Sequence, residues 1–222
     1  MNTAVSLLMT VVVTVYIYYF EIDEDQEKQP LTVVIKSKKK LFFITLIMFA
    51  GYALFSGIAS YKNGYNGLSL LRNVVFLDSL YLLSLTDAKK HIIPNKIIIA
   101  DLVIRAFFLV LEVFFVADEP IVALQNTGYG FLISAIAALV LLVLSHGSIG
   151  GGDIKLIAII GLYAGASKAF PVIFISFVLC AMASIVLLIS KKRTLKESIP
   201  FAPFIFAGML LYTTLMYLTL NK

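Results

Sequence analysis

The chain has 222 residues, of which 60% are hydrophobic and 14% are charged. An ordinary soluble domain carries about 25% charged residues, so the composition excludes that class. The net charge of +5 does not indicate a nucleic-acid partner, because the basic residues are not gathered in a soluble module. The single cysteine, Cys180, lies in an apolar run and excludes a disulfide framework and a cysteine-rich zinc site.

Apolar stretches follow one another along the whole chain. About 20 apolar residues form a helix that crosses the hydrocarbon core of a bilayer. We therefore predict an all-α, polytopic bundle of about eight transmembrane helices, surrounded by membrane lipid. The sixth stretch is short, about 18 Å as a helix, so it must tilt, extend into its flanks or fail to span the membrane. The stretches cover residues 4–20, 41–60, 69–86, 97–117, 128–146, 154–165, 170–190 and 200–220.

Residues 1–222 are predicted to form a single membrane-embedded domain. Residues 1–20 are interpreted as an anchor helix, because no basic segment precedes the apolar run and no small-residue cleavage site follows it. Residues 21–40 form a loop, and residues 41–222 form the helical core that carries the chemistry.

The distribution of Lys and Arg predicts the topology. The loops at 21–40, 87–96, 147–155 and 191–199 hold 13 of the 18 basic residues. The positive-inside rule therefore places these loops in the cytoplasm. The chain is expected to be a multi-pass protein of the cell membrane, with both termini on the extracytoplasmic side.

Two of the cytoplasmic loops each place one carboxylate at the end of an apolar helix. These residues are Asp87 and Asp153, which lie 66 positions apart. Three consecutive glycines, at 150–152, precede Asp153 and allow close approach by a second chain or by the opposite helix.

Two carboxyl groups that meet at a partly dry site share one proton, and their pKa values separate. The ionised carboxylate can take a proton from water while the protonated carboxyl polarises a peptide carbonyl, which is general acid–base hydrolysis without metal or cofactor. The sequence offers no Gly-x-Ser-x-Gly, Cys–His or His-Glu-x-x-His alternative. The pattern therefore favours an aspartic-type endopeptidase.

Three segments, in this order, resemble the type IV prepilin peptidases, a group within the Gly-x-Gly-Asp intramembrane aspartyl proteases. The first contains Asp87 and Ile93-Pro94-Asn95, and the second runs from Gly150 through Asp153 to Leu156. The third is Pro200-Phe201-Ala202-Pro203-Phe204, with Ala202 where glycine is usual. The resemblance covers roughly residues 70–210 and implies that Asp87 and Asp153 are catalytic. The residues expected to shape the site are Pro94, Asn95, Gly150, Gly151, Gly152, Lys155, Pro200, Phe201 and Pro203.

The resemblance implies a prepilin or pseudopilin-like substrate, cut between a short leader ending in Gly and a hydrophobic helix, as in type IV pilus assembly or protein secretion. The acidic residues between 21 and 27 are expected to attract a basic leader. Bifunctional relatives carry a long insertion with paired Cys-x-x-Cys motifs after the first helix. The corresponding loop here, 21–40, is short and has no cysteine, so we predict no N-methyltransferase activity.

Structural interpretations stand beside these functional ones. Asp87 can simply end a helix, the glycines can form an ordinary loop, and Lys155 can anchor the interface rather than tune the acidic pair. The remaining polar residues are interpreted as structural: Asp78 as a buried helix contact, Asp101, Arg105 and Glu112 as a helical ion-pair set, His91 and His146 as solvent-facing loop residues, and Cys180 as packed or lipid-facing.

Two further functions remain open. A presenilin-like protease would keep the acidic pair but cut within other helical substrates. A small-solute transporter would use Asp78, Asp101 and Arg105 as coupling residues near the membrane midplane.

Overall fold

The computed structural model of the protein describes residues 50, 51, 54, 67–115, 119–144, 149–190 and 198–219. These residues confirm the all-α prediction, because the described ranges contain helices and no strand. The loop at 21–40, the anchor at 1–20 and most of the stretch 41–60 lie outside them, so the count of about eight helices stays a prediction. The helices are α1 (Gly67–Lys90), α2 (Asn95–Phe115), α3 (Pro120–Leu144), α4 (Gly151–Ala164), α5 (Ala166–Ile189) and α6 (Ala202–Thr219).

The helices have the length and surface of a membrane protein. In the described part of the chain, α1, α3 and α5 are long and apolar enough to cross a bilayer. Large apolar side chains such as Leu132, Val143 and Phe174 are exposed on α3 and α5. Because helices satisfy their own backbone hydrogen bonds, such apolar faces are compatible with lipid. The chain is therefore a helical membrane protein.

The helices divide between two compact units. Among the described residues, those before 83 and after 213 belong to the first unit, and residues 83–213 form the second. The boundaries fall inside α1 and α6. The last two turns of α1, all of α2 to α5 and the first two-thirds of α6 therefore belong to the second unit, which carries all the candidate site residues that the structure describes.

The short α4 is the most buried helix of the second unit. It has 14 residues, about 21 Å, and it packs against α2, α3 and α5. Leu156, Ile157, Ile160 and Tyr163 are almost completely buried. A helix that is apolar on every side is a core helix. The sixth predicted stretch is thus confirmed as short, and it extends N-terminally to Gly151.

Glycine contacts bring α3 and α4 together. A Cβ atom on Gly130 or on Gly161 would collide with the backbone of the other residue. Small residues of this kind allow helix backbones in membranes to approach closely. The connection to α5 is a single residue, Gly165, with φ +76°. The N–H of Ala166, which begins α5, donates to Oδ1 of Asn126 on α3 at 3.0 Å.

The buried Arg105 ties three helices together. Its Nη1 donates to Glu112 on the same helix at 3.0 Å, and its Nη2 donates to Thr127 on α3 at 2.7 Å. Its Nε donates to the carbonyl of Leu162 on α4, also at 2.7 Å. A buried cation needs such partners to offset the loss of hydration. The structure pairs Arg105 with Glu112, which the sequence placed on the same helix face, and the predicted Asp101–Arg105 pair stays a prediction.

Asp78 lies on α1 in the first unit and is fully buried, which confirms its predicted buried position. Within the described part of the chain, neither of its carboxyl oxygens has a hydrogen-bond partner.

Candidate active site

Asp87 lies in the last turn of α1, and its side chain is buried, with 5% of the residue exposed. Its Oδ2 accepts a hydrogen bond from the backbone N–H of Ala202, the first residue of α6, at 2.9 Å. Its carbonyl accepts from the N–H of His91 at 2.9 Å. His91 has φ +52°, a left-handed conformation that commonly ends a helix. The helix end and the start of α6 together fix the carboxyl.

Asp153 lies in the first turn of α4. Its N–H donates to the carbonyl of Gly150 at 3.0 Å, which starts the helix. Burial, and to a lesser extent the nearby Asp87 carboxylate, raise the pKa of Asp153 to about 6, while a hydrogen bond with the Gly150 backbone acts in the opposite direction. Near neutral pH a larger fraction of this carboxyl is therefore protonated than in an ordinary Asp.

The three glycines before Asp153 differ in what surrounds them. A Cβ on Gly152 would lie 2.9 Å from the Cβ of Ile93, in the segment between α1 and α2. A Cβ on Gly151 would meet open space, and one on Gly150 would be in ordinary contact with Asp153 at 3.4 Å. Among the three, Gly152 therefore provides the close approach, and its neighbour is the loop that follows Asp87.

The segment after Asp87 also positions α2. The carbonyl of Pro94 accepts from the N–H groups of Ile97 and Ile98 at 3.2 and 3.4 Å. The helix therefore starts directly after Pro94, at Asn95. Oδ1 of Asn95 accepts from Nζ of Lys155 on α4 at 2.9 Å. This pair is exposed, and Lys155 is directed to Asn95.

Asp87 and Asp153 line the same cavity, which has a volume of about 400 Å³. One wall is apolar and includes Ile157, Phe177 and Phe201. The Phe177 and Phe201 rings lie 4.8 Å apart between centroids, at an interplanar angle of 33°. The cavity thus combines two carboxyls with a surface that accepts an apolar side chain.

The segment before α6 also lines the cavity. Pro200 and Phe201 line it, and the carbonyl of Phe201 accepts from the N–H groups of Phe204 and Ile205 at 3.0 and 3.2 Å. Pro203 is the second residue of α6, within the first turn, where proline is tolerated.

Several cavity residues were not predicted from the sequence. His91 is exposed, as expected, yet it also lines the cavity, and its position four residues after Asp87 could have indicated this. Cys180 on α5 is partly buried and lines the cavity too. For Phe177 and Cys180 the sequence gives no signal, because α5 is apolar on all sides. The acidic residues at 21–27 and His146 lie outside the described residues.

Comparison with known proteins places the chain in a family. The profile of the type IV leader peptidase family matches residues 74–185, a segment that contains both carboxyls of the cavity. The chain belongs to the type IV leader peptidase family. It is 30% identical over 168 residues to a "Prepilin leader peptidase/N-methyltransferase" of Bacillus subtilis (strain 168). That alignment covers 76% of this chain and 62% of the relative, and no solved structure matches.

Proposed function

We propose that this leader peptidase family member is an aspartic endopeptidase that removes leader peptides from prepilin-like proteins at the cytoplasmic face of the membrane. The observation that carries the proposal is the cavity that Asp87 and Asp153 line together. Family membership and the printed name of the Bacillus relative support the prepilin-type substrate.

The chemistry requires one ionised and one protonated carboxyl. The carboxylate removes a proton from water as the water oxygen attacks the carbonyl carbon of the scissile peptide. The protonated carboxyl donates its proton to the carbonyl oxygen, which gives a tetrahedral diol. The first carboxyl then gives the proton that it took from water to the amide nitrogen, and the second takes a proton back from the diol as the C–N bond breaks and the carbonyl re-forms. The pKa of Asp153, raised by burial to about 6, supports the proton-donor role, because a larger fraction of this carboxyl is protonated near neutral pH than in an ordinary Asp.

The remaining residues have supporting roles in the proposal. The close contact of Gly152 with Ile93 and the hydrogen bond between Lys155 and Asn95 would hold the start of α4 against the segment after Asp87. Pro200 and Phe201 would form the wall beside the scissile bond, with Pro94, Gly150, Gly151 and Pro203 shaping the backbone around it.

The test is cleavage of a purified prepilin-type substrate by the full chain in detergent. Asp87→Asn and Asp153→Asn should each reduce kcat by about 10²-fold or more, because general acid–base catalysis typically contributes that much. Asp78→Asn is the matched control, since Asp78 lies on the same helix as Asp87 but does not line the cavity. Full activity of either cavity variant, or equal loss in the control, would contradict the proposal.

The same reaction tests the proposed absence of methylation. With a methyl donor such as S-adenosylmethionine present, the mature product should have an unmodified N-terminus by mass spectrometry. A methylated product would show that the short 21–40 loop does not abolish that activity.

A further inference from the structure

The carboxyl of Asp87 is bonded to the backbone of a helix that lies 115 residues further along the chain. Its Oδ2 accepts from the N–H of Ala202 at 2.9 Å in a buried setting. We propose that this N–H is a positioning group that holds Asp87 as the ionised, proton-accepting carboxylate and leaves Asp153 as the proton donor. The inference rests on the proposed function and assigns a separate role to each carboxyl.

The two helix ends at Asp87 act in opposite directions. Asp87 lies near the C-terminus of α1, where the partial negative charge of the helix end disfavours a carboxylate. Ala202 begins α6, where N–H groups have no partner within the helix and carry partial positive charge. A hydrogen bond from such a donor favours the ionised form of its acceptor. The start of α6 therefore offsets the unfavourable position of Asp87 on α1.

Asp153 lacks a comparable donor from a distant helix among its described contacts. Its hydrogen bond is with the neighbouring backbone of Gly150, directly before α4, and Asp153 is only partly buried. A fixed negative charge on Asp87 disfavours a second charge in the same cavity, which is one of the causes of the raised pKa of Asp153. The two carboxyls thus differ in their surroundings: Asp87 accepts from the start of α6, and Asp153 does not.

The sequence around Ala202 fits a backbone role. Pro200 and Pro203 stand on either side, and proline has no N–H to donate. Ala202 is fully buried, so its side chain must be small, whereas glycine and alanine supply the same N–H. Alanine at the position where the resembling motif usually has glycine is therefore compatible with a backbone role.

The pH dependence of the cavity involves four titratable residues, because Asp87, His91, Asp153 and Cys180 all line it. Lys155, on the same helix as Asp153, is directed to Asn95 instead. The dependence of kcat/KM on pH is therefore also measured for His91→Gln and Cys180→Ser. These two variants show whether the imidazole or the thiol, rather than a carboxyl, contributes to the pH dependence.

The decisive variant is Ala202→Pro, which removes the N–H, and its matched control is Ala202→Gly, which retains it. Proline is tolerated at the first position of a helix. We expect the acidic limb of kcat/KM against pH to move up by about one to two pH units in Ala202→Pro, the equivalent of a lost hydrogen bond to a charged group. Ala202→Gly should keep the wild-type limb. A folded Ala202→Pro enzyme with an unmoved acidic limb would overturn the positioning role.

A second measurement tests the positioning role even if the proline variant does not fold or the enzyme cleaves no prepilin. Lactic acid incorporated at position 202 replaces the amide by an ester and removes only the N–H. Infrared spectra of the protein with labelled Asp carboxyls, with Asp87→Asn for assignment, should show the Asp87 acid band persisting to higher pH in the ester. An unchanged band overturns the inference. A wild-type protein that cleaves no prepilin-type substrate overturns the proposed function instead.

Discussion

At the scale of single residues, the Asp153 carboxyl links the candidate chemistry to stability. Its pKa is about 6 in the folded protein, against an ordinary value of 3.8. The folded state therefore binds a proton that the unfolded state has already released between these two pH values. This contribution to stability is fully present below pH 4 and is lost as the pH rises through about 6.

We expect the thermal stability of the wild type in detergent to fall between pH 4 and 6.5 relative to Asp153→Asn. The variant has no carboxyl to titrate at this position, so the difference between the two unfolding curves isolates this residue. Parallel pH dependences of the unfolding temperature would contradict the raised pKa.

The sequence indicated which carboxyl side chains line the cavity, but it did not indicate which backbone groups contact them. Asp87 and Asp153 could be found because each is a carboxylate at the end of an apolar stretch on the same predicted membrane side. The N–H of Ala202 could not, since every residue except proline has one. Phe177 and Cys180 were missed for a different reason: which side chains of α5 face the cavity depends on the rotation of a helix whose apolar residues surround it completely.

At the scale of helices, the start of α4 lies in close contact with the segment after α1. The sequence predicted close approach at the glycines but not which glycine makes it or which residue it meets. The structure assigns the contact to Gly152 and Ile93, because among the three glycines only Gly152 would bring an added Cβ within 3.0 Å of a neighbour.

Gly152→Ala and Gly151→Ala form a matched pair of variants. A Cβ at 152 would lie 2.9 Å from the Cβ of Ile93, close to the backbone, whereas one at 151 would meet open space. Both changes favour the helix by about 1 kcal/mol in intrinsic propensity, so a difference between them reports the contact. We expect Gly152→Ala to reduce cleavage at least tenfold while Gly151→Ala stays within about twofold, because misplacement by about 1 Å can lower a rate 10²-fold.

Restoring space at residue 93 is the control for that pair. Ile93→Ala in the Gly152→Ala background should recover part of the lost rate, since it removes the atoms that the new methyl group meets. Equal behaviour of the two glycine variants would show that the contact does not determine the carboxyl geometry.

At the scale of the whole molecule, the all-helical membrane class followed directly from the long apolar blocks. The prediction of a single domain is not tested by the division of the chain into two compact units. That division was not readable from the sequence, because its boundaries fall inside α1 and α6 rather than in a polar linker. The number of helices and the side of the membrane on which each loop lies remain predictions.

Labelling of engineered cysteines tests the predicted topology. In a Cys180→Ser background, Lys90→Cys and Glu119→Cys place thiols at exposed positions at the end of α1 and just before α3. An impermeant maleimide should label position 119 in intact cells and position 90 only after lysis. The opposite pattern would place the cavity on the extracytoplasmic side.

The one-residue junction at Gly165 has a consequence for how this chain can change in length. Gly165 alone separates the helix with Asp153 from the helix with Phe177. No longer loop lies between them that could absorb an insertion. One residue added or removed inside the second helix, between Gly165 and Phe177, would turn the part beyond it by about 100° and shift it by about 1.5 Å relative to the junction. We therefore expect the number of residues between Asp153 and Phe177 to tolerate less variation than the lengths of other connections.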